Sequence, residues 1–124
     1  MYYAFFGCEN LTTITNIHND VNIMFYTFGR CVNLVNAPVI PNGVVDMYRT
    51  FYNCGKLSGN MFVYSTNISN AKYCFEYTNL TKNVYIPFKY ENGVNTKTYN
   101  AFISAGYDTN GTTNGVYLKD INSI

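Results

Sequence analysis

The stretch MFYTFGRCVNL, residues 24–34, is written four times in this chain, and that repetition constrains the fold more than any other feature. MYYAFFGCENL (1–11) precedes it, MYRTFYNCGKL (47–57) follows it, and NAKYCFEYTNL (70–80) is a decayed fourth copy. Phe5, Phe28 and Phe51 are 23 residues apart, as are Cys8, Cys31 and Cys54, and Leu11, Leu34, Leu57 and Leu80 keep the same step. On that count Cys74 takes a phenylalanine position in the fourth copy and Tyr77 a cysteine position. Self-similarity at a fixed period of about 20 to 50 residues is the signature of a solenoid, whose units cannot bury their apolar edges alone and therefore stack.

Within a unit, Met-x-x-x-Phe-x-x-Cys-x-x-Leu sets apolar residues at steps of four, three and three, which predicts a short helical or 3₁₀ turn. After the leucine the pattern alternates, and every second residue places Ile17, Ile40, Val63 and Ile86 on an inner face, with Met61 and Val84 beside them. This predicts a short strand closed by proline or a turn residue, with Gly59 and Asn60 weakening it in the third unit. Asn-Gly at 42–43 and 92–93 marks turns into the next coil. A second apolar position follows at Val21, Val44 or Val45, Ile68 and Val94.

These residues carry a family resemblance. Ala4-Phe5-Phe6-Gly7-Cys8-Glu9-Asn10-Leu11, with strands ending in Ile40-Pro41 and Ile86-Pro87, resembles the BspA-like, treponemal type of leucine-rich repeat. The resemblance covers residue 1 to about residue 90. It implies a leucine-rich-repeat-like solenoid with parallel β-strands on one side and short turns on the other. It also implies surface-exposed or secreted adhesion and recognition modules of bacteria, protists and phages, with neither catalytic residues nor a cofactor. The expected organisation is four coils over residues 1–92 and a C-terminal capping unit over 93–124. In that unit Phe102 and Ala105 take the phenylalanine and cysteine slots, 108–115 form a polar loop, and Val116-Tyr117-Leu118 is a last strand. The chain opens inside the repeat pattern, which leads us to expect either a longer parent chain or a second subunit over the first coil.

Composition narrows the function. The net charge is +1 and only 12% of residues are charged, with no cationic run, so neither nucleic acid nor an anionic membrane surface is an expected partner. No apolar stretch approaches a membrane span. The MYYAFFGCENL start lacks the basic region and small-residue site of a signal peptide. The cysteines have no metal-ligand spacing, and in-register thiols pointing the same way suit a disulfide badly, so a ladder of buried free thiols is expected. His18, the one histidine, stands where Pro41 and Pro87 close other strands and reads as a solvated turn residue. The acids fall at different repeat positions, leaving no stacked carboxylate pair. Asp108-x-Asn110-Gly111 has Lys119 where a calcium loop needs its bidentate glutamate, and reads as a polar turn.

Two surfaces remain. Outward strand positions form the columns Asn16, Val39, Phe62, Tyr85 and Ile14, Ala37, Asn60, Asn83, with Tyr64 nearby. Aromatic anchors among amides suit a protein patch or a glycan, so the expected partner is a cell-surface protein or glycan, met outside the cell or on a cell or virion surface. Turn-side residues form the columns Tyr2, Phe25, Tyr48 and Tyr3, Tyr26, Arg49, one of which is expected to be buried. The alternative is a spacer joined through its uncapped first coil, with Met1, Tyr2, Tyr3, Phe5 and Phe6 as an assembly edge for a homo-oligomer.

Overall fold

Each repeat lies on the next through backbone hydrogen bonds on two sides of the winding. A computed structural model describes residues 1–124. On one side runs a three-stranded parallel sheet in the order β1 (Gly59–Phe62), β2 (Lys82–Ile86), β3 (Val116–Asp120). The sheet continues toward the N-terminus only as single parallel bridges, Ile40 to Val63 and Thr13 to Asn36. The third unit therefore pairs better than the second, against the expectation from Gly59 and Asn60. Pro38 and Pro41 have no N–H to give, which thins the ladder in the second unit.

The opposite side is a second ladder rather than a helical turn. Met24, Tyr26, Phe28 and Arg30 donate their N–H groups to the carbonyls of Asp46, Tyr48, Thr50 and Tyr52 in the next winding. The alternate residues Thr27, Gly29 and Cys31 donate three residues back along their own winding. The result is a run of β-turns, each needing a left-handed residue: Tyr3, Tyr26, Arg49 and Tyr73 occupy one such column with φ of 49–55°, and Gly7, Arg30, Asn53 and Tyr77 another. Side chains other than glycine are held there at about 1–2 kcal/mol each because the ladder fixes the backbone. The four-three-three spacing was thus produced by turn closure, not by a helical face.

The core is a set of stacked columns. Phe5, Phe28, Phe51 and Phe75 lie ring on ring, with centroids 5.4, 5.5 and 5.7 Å apart and planes within 8°. The 23-residue count therefore fails once. Phe75, not Cys74, continues the phenylalanine column, Cys74 falls beneath Thr50, and Thr78 rather than Tyr77 follows Cys54. The strand register stays at 23, with Gly59 opposite Lys82, so a residue gained between Val63 and Asn70 is lost again between Thr78 and Lys82. Leu80 consequently leaves its column and is half exposed, and Lys82 is buried instead.

The buried polar residues are satisfied along the same axis. Thr27 and Thr50 hydroxyls donate to the Met1 and Met24 carbonyls of the preceding winding (2.5 and 2.7 Å). Cys31 and Cys54 thiols donate in the same way to the Phe5 and Phe28 carbonyls, each at 3.0 Å. All four cysteines are free, and Cys31, Cys54 and Cys74 are buried; Cys8 is exposed, because no winding covers it. The inner positions Ile17, Ile40, Met61, Val63, Val84 and Ile86 are all buried as the alternation predicts.

Past the fourth unit the chain changes character. Val94 is exposed, not inward, because the Tyr90–Gly93 turn sends the chain into α1 (Lys97–Ser104), whose N-cap Thr96 accepts from Tyr99 N–H. Tyr107, not Phe102, covers the end of the phenylalanine column, at 5.6 Å and 82° to Phe75. Its hydroxyl accepts the Phe75 N–H at 2.9 Å, the place a further winding's carbonyl holds elsewhere. Asp108 spends its carboxylate on the Asn110 and Thr112 N–H groups of the 108–115 loop, and its pKa is lowered, first by the Thr112 side chain and then by the Asn110 N–H.

Candidate functional site

The sheet register brings the expected strand-face residues together. Phe62 sits opposite Tyr85 and Asn60 opposite Asn83. The two rings stack at 5.1 Å with planes 15° apart, and Asn83 donates through its side-chain amide to the Asn60 side-chain oxygen at 3.2 Å. Val39 is exposed in the same column, one strand before Phe62, and Lys119 follows Tyr85 on β3. The stack has a chemical consequence. A ring face occupied by another ring is closed to a sugar, so Phe62 and Tyr85 offer mainly edges and one hydroxyl.

Tyr64 differs. It is 49% exposed, has no ring stacked on it, and overhangs a depression of about 140 Å³ lined by Asn16, Ile17, Asn19, Val39, Pro41 and Asn42. An open aromatic face ringed by three amides is the part of the strand side with the chemistry to hold a small polar ligand. The alternation picked out Asn16, Val39 and Tyr64; it missed Asn19 and Asn42, which come from the turns beyond the strands. The Asn-Gly turn at 42–43 was the signal that places Asn42 at the strand's end. His18 lies outside this depression, lining the hollow beside Phe5; it is exposed and accepts the Asp20 N–H at its Nδ1 (3.1 Å).

Neither turn-side column is buried. Tyr3 stacks on Tyr26 at 4.8 Å and Phe25 on Tyr48 at 5.0 Å, while Tyr2, Tyr3, Tyr73 and Tyr77 remain exposed. Arg49 lies among four rings, those of Tyr26, Tyr48, Tyr52 and Tyr73, at 4.9–5.6 Å. It donates to the Tyr26 hydroxyl and stands 3.5 Å from Glu76. The cation is already surrounded by its own chain, so this seam reads as a surface brace across three windings.

At the N-terminal edge Met1 is half-buried and Tyr2, Tyr3, Phe5 and Phe6 are exposed. Beside Phe5 an apolar hollow of about 320 Å³ opens among Met1, Ala4, Ile14, Ile17 and Val21. A third cavity, about 440 Å³, lies between residues 68–72 and α1. It went unseen in the sequence because it depends on the extra residue of the third unit, which puts Ala71 where Met24 and Met47 stand before it.

Two hydrogen-bonded ladders, in-register side-chain columns and a one-sided parallel sheet define a repeat solenoid. The chain matches the BspA type leucine-rich repeat region, in six copies, over residues 1–105, and it belongs to that family. The match extends beyond residue 92 into α1. No curated protein and no solved structure matches the chain.

Proposed function

We propose that this chain is a non-enzymatic recognition module that binds a protein or glycan at a cell or virion surface through its strand face. The observation that supports this most is the stacked Phe62 and Tyr85 pair, flanked by the Asn60 and Asn83 amides and continuous with the Tyr64 depression. In this reading Phe62, Tyr85, Asn60 and Asn83 form a rigid patch for a protein surface, and Tyr64 with Asn16 and Val39 forms the subsite open to a sugar face. Residues 1–92 act as four coils carrying that face and residues 93–124 as the capping unit that seals them. Family membership favours interaction over catalysis. The test is a binding screen against surface proteins and glycans. The Phe62→Ala/Tyr85→Ala double variant should abolish protein binding, and Tyr64→Ala glycan binding, with far-ultraviolet circular dichroism unchanged; undiminished affinity in both variants rejects the strand face.

A second reading has its own observation, the open apolar hollow beside Phe5. A further winding of the same repeat type, from this polypeptide or another, would bury Tyr2, Tyr3, Phe5 and Phe6 and continue both ladders. A strictly monomeric species in light scattering at high concentration excludes self-assembly through that edge.

A further inference from the structure

The largest cavity in the molecule belongs to neither of those surfaces. The groove between residues 68–72 and α1 exists because side-chain volume is missing: Ala71 stands in the methionine column, and α1 lines the opposite wall with Ala101 and Ser104. Its floor is apolar, from Ile68, Ala71 and Ala101. Its rim carries two cations, Lys72 from the winding and Lys97 from the first turn of α1, beside the exposed Asn100 and Ser104 side chains. The ion pairs of the molecule are His18 with Asp20 and Arg49 with Glu76, so neither ammonium has a carboxylate within 4.0 Å. Asp46, the acid bridged to Asn70, turns one carboxylate oxygen to the Tyr48 N–H at 2.8 Å.

We propose that this groove binds an acidic monosaccharide unit, a hexuronic acid. Two ammonium groups without a carboxylate partner, contributed to the lining by separate elements, suit an anion. A volume of about 440 Å³ holds a sugar ring with space for one linkage. The alanine floor suits the C–H face of a pyranose, and the Asn100 amide and Ser104 hydroxyl suit its hydroxyl groups. The carboxylate lies between Lys72 and Lys97, where each contact is charge-assisted. The site is separate from the strand face and stands or falls without it.

The experiment is an amide-resolved NMR titration of the whole chain with glucuronic acid, with glucose and with sodium acetate. Glucuronic acid should shift the Ala71, Lys72 and Ala101 resonances, with glucose and acetate each far weaker. Lys72→Gln and Lys97→Gln should each weaken the glucuronic acid response about tenfold, the loss of one charge-assisted contact. Phe62→Ala should leave it unaltered. No shift at those resonances, an equal response to acetate or glucose, or an unchanged affinity in both lysine variants overturns the proposal.

Discussion

The two ends of the phenylalanine column hold the same residue in the same geometry and meet opposite fates. Phe5 stacks on Phe28 with its outer face in water, whereas Phe75 stacks on Phe51 and is fully covered by Tyr107. The cysteines repeat the contrast, exposed at Cys8 and buried at Cys31 and Cys54. The repeat thus specifies a position, and only the neighbour on each side turns the position into core. The widest test compares the middle of the column with its open end. Phe51→Ala should cost about 3–5 kcal/mol, because both ring faces lose partners and the cavity cannot collapse between fixed ladders. Phe5→Ala should cost only about 1 kcal/mol, one half-exposed ring face. Denaturant melts that give equal losses for the two would mean that the N-terminal edge is already covered in solution.

How far the sequence could be read follows from the same contrast. The inner strand column, Ile17 through Ile86, was legible because alternation and period agreed there across every unit. The turn side of the fourth unit was not. Its Leu80 sits on the 23-residue count, yet the structure turns it outward, because one residue gained after Val63 shifts the phenylalanine to position 75. A count from leucine to leucine cannot see a gain and a loss that cancel; the rings can, since only Phe75 continues the stack. The strand-face pairs Phe62 with Tyr85 and Asn60 with Asn83 were legible for the same reason as the core. That the rings would close one another's faces, leaving Tyr64 as the open one, depends on side-chain packing that no spacing encodes.

A smaller effect isolates the covered end itself. Tyr107 supplies the hydroxyl that accepts the buried Phe75 N–H, standing in for a backbone carbonyl. Tyr107→Phe keeps the ring over the column and leaves that N–H without a partner, at about 1–3 kcal/mol. Hydrogen exchange should accelerate at Phe75 and stay unchanged at Phe28, whose N–H bonds to the Thr50 carbonyl. Acceleration at both would show that the column opens as one unit, and the distinction between its ends would then be structural but not energetic.

The smallest effect is a rise of stability with pH that originates at the covered end. Lys82, buried in β2 opposite Gly59, donates from its ammonium to the carbonyls of Thr78, Leu80 and Asn114, tying the fourth unit to the loop before β3. Burial pulls its pKa down from 10.5 to about 8. From about pH 8 upward the folded chain gives up this proton while the unfolded chain keeps it, so the unfolded state binds more protons and stability rises with pH. The buried thiols act in the opposite sense: burial raises the Cys54 pKa from 9.0 to about 12 and pushes Cys31 and Cys74 up as well. Their contribution is complete below about pH 9 and is lost above it, as the unfolded chain releases thiol protons that the folded chain retains. Stability should therefore climb by no more than about 1 kcal/mol between pH 8 and 9 and turn down beyond. Lys82→Met should remove the climb and keep the descent, because the thiols lie in the middle of the column and the lysine at its sealed end. A climb that survives in Lys82→Met would assign it to another group and leave the charged lysine unpenalised by its burial.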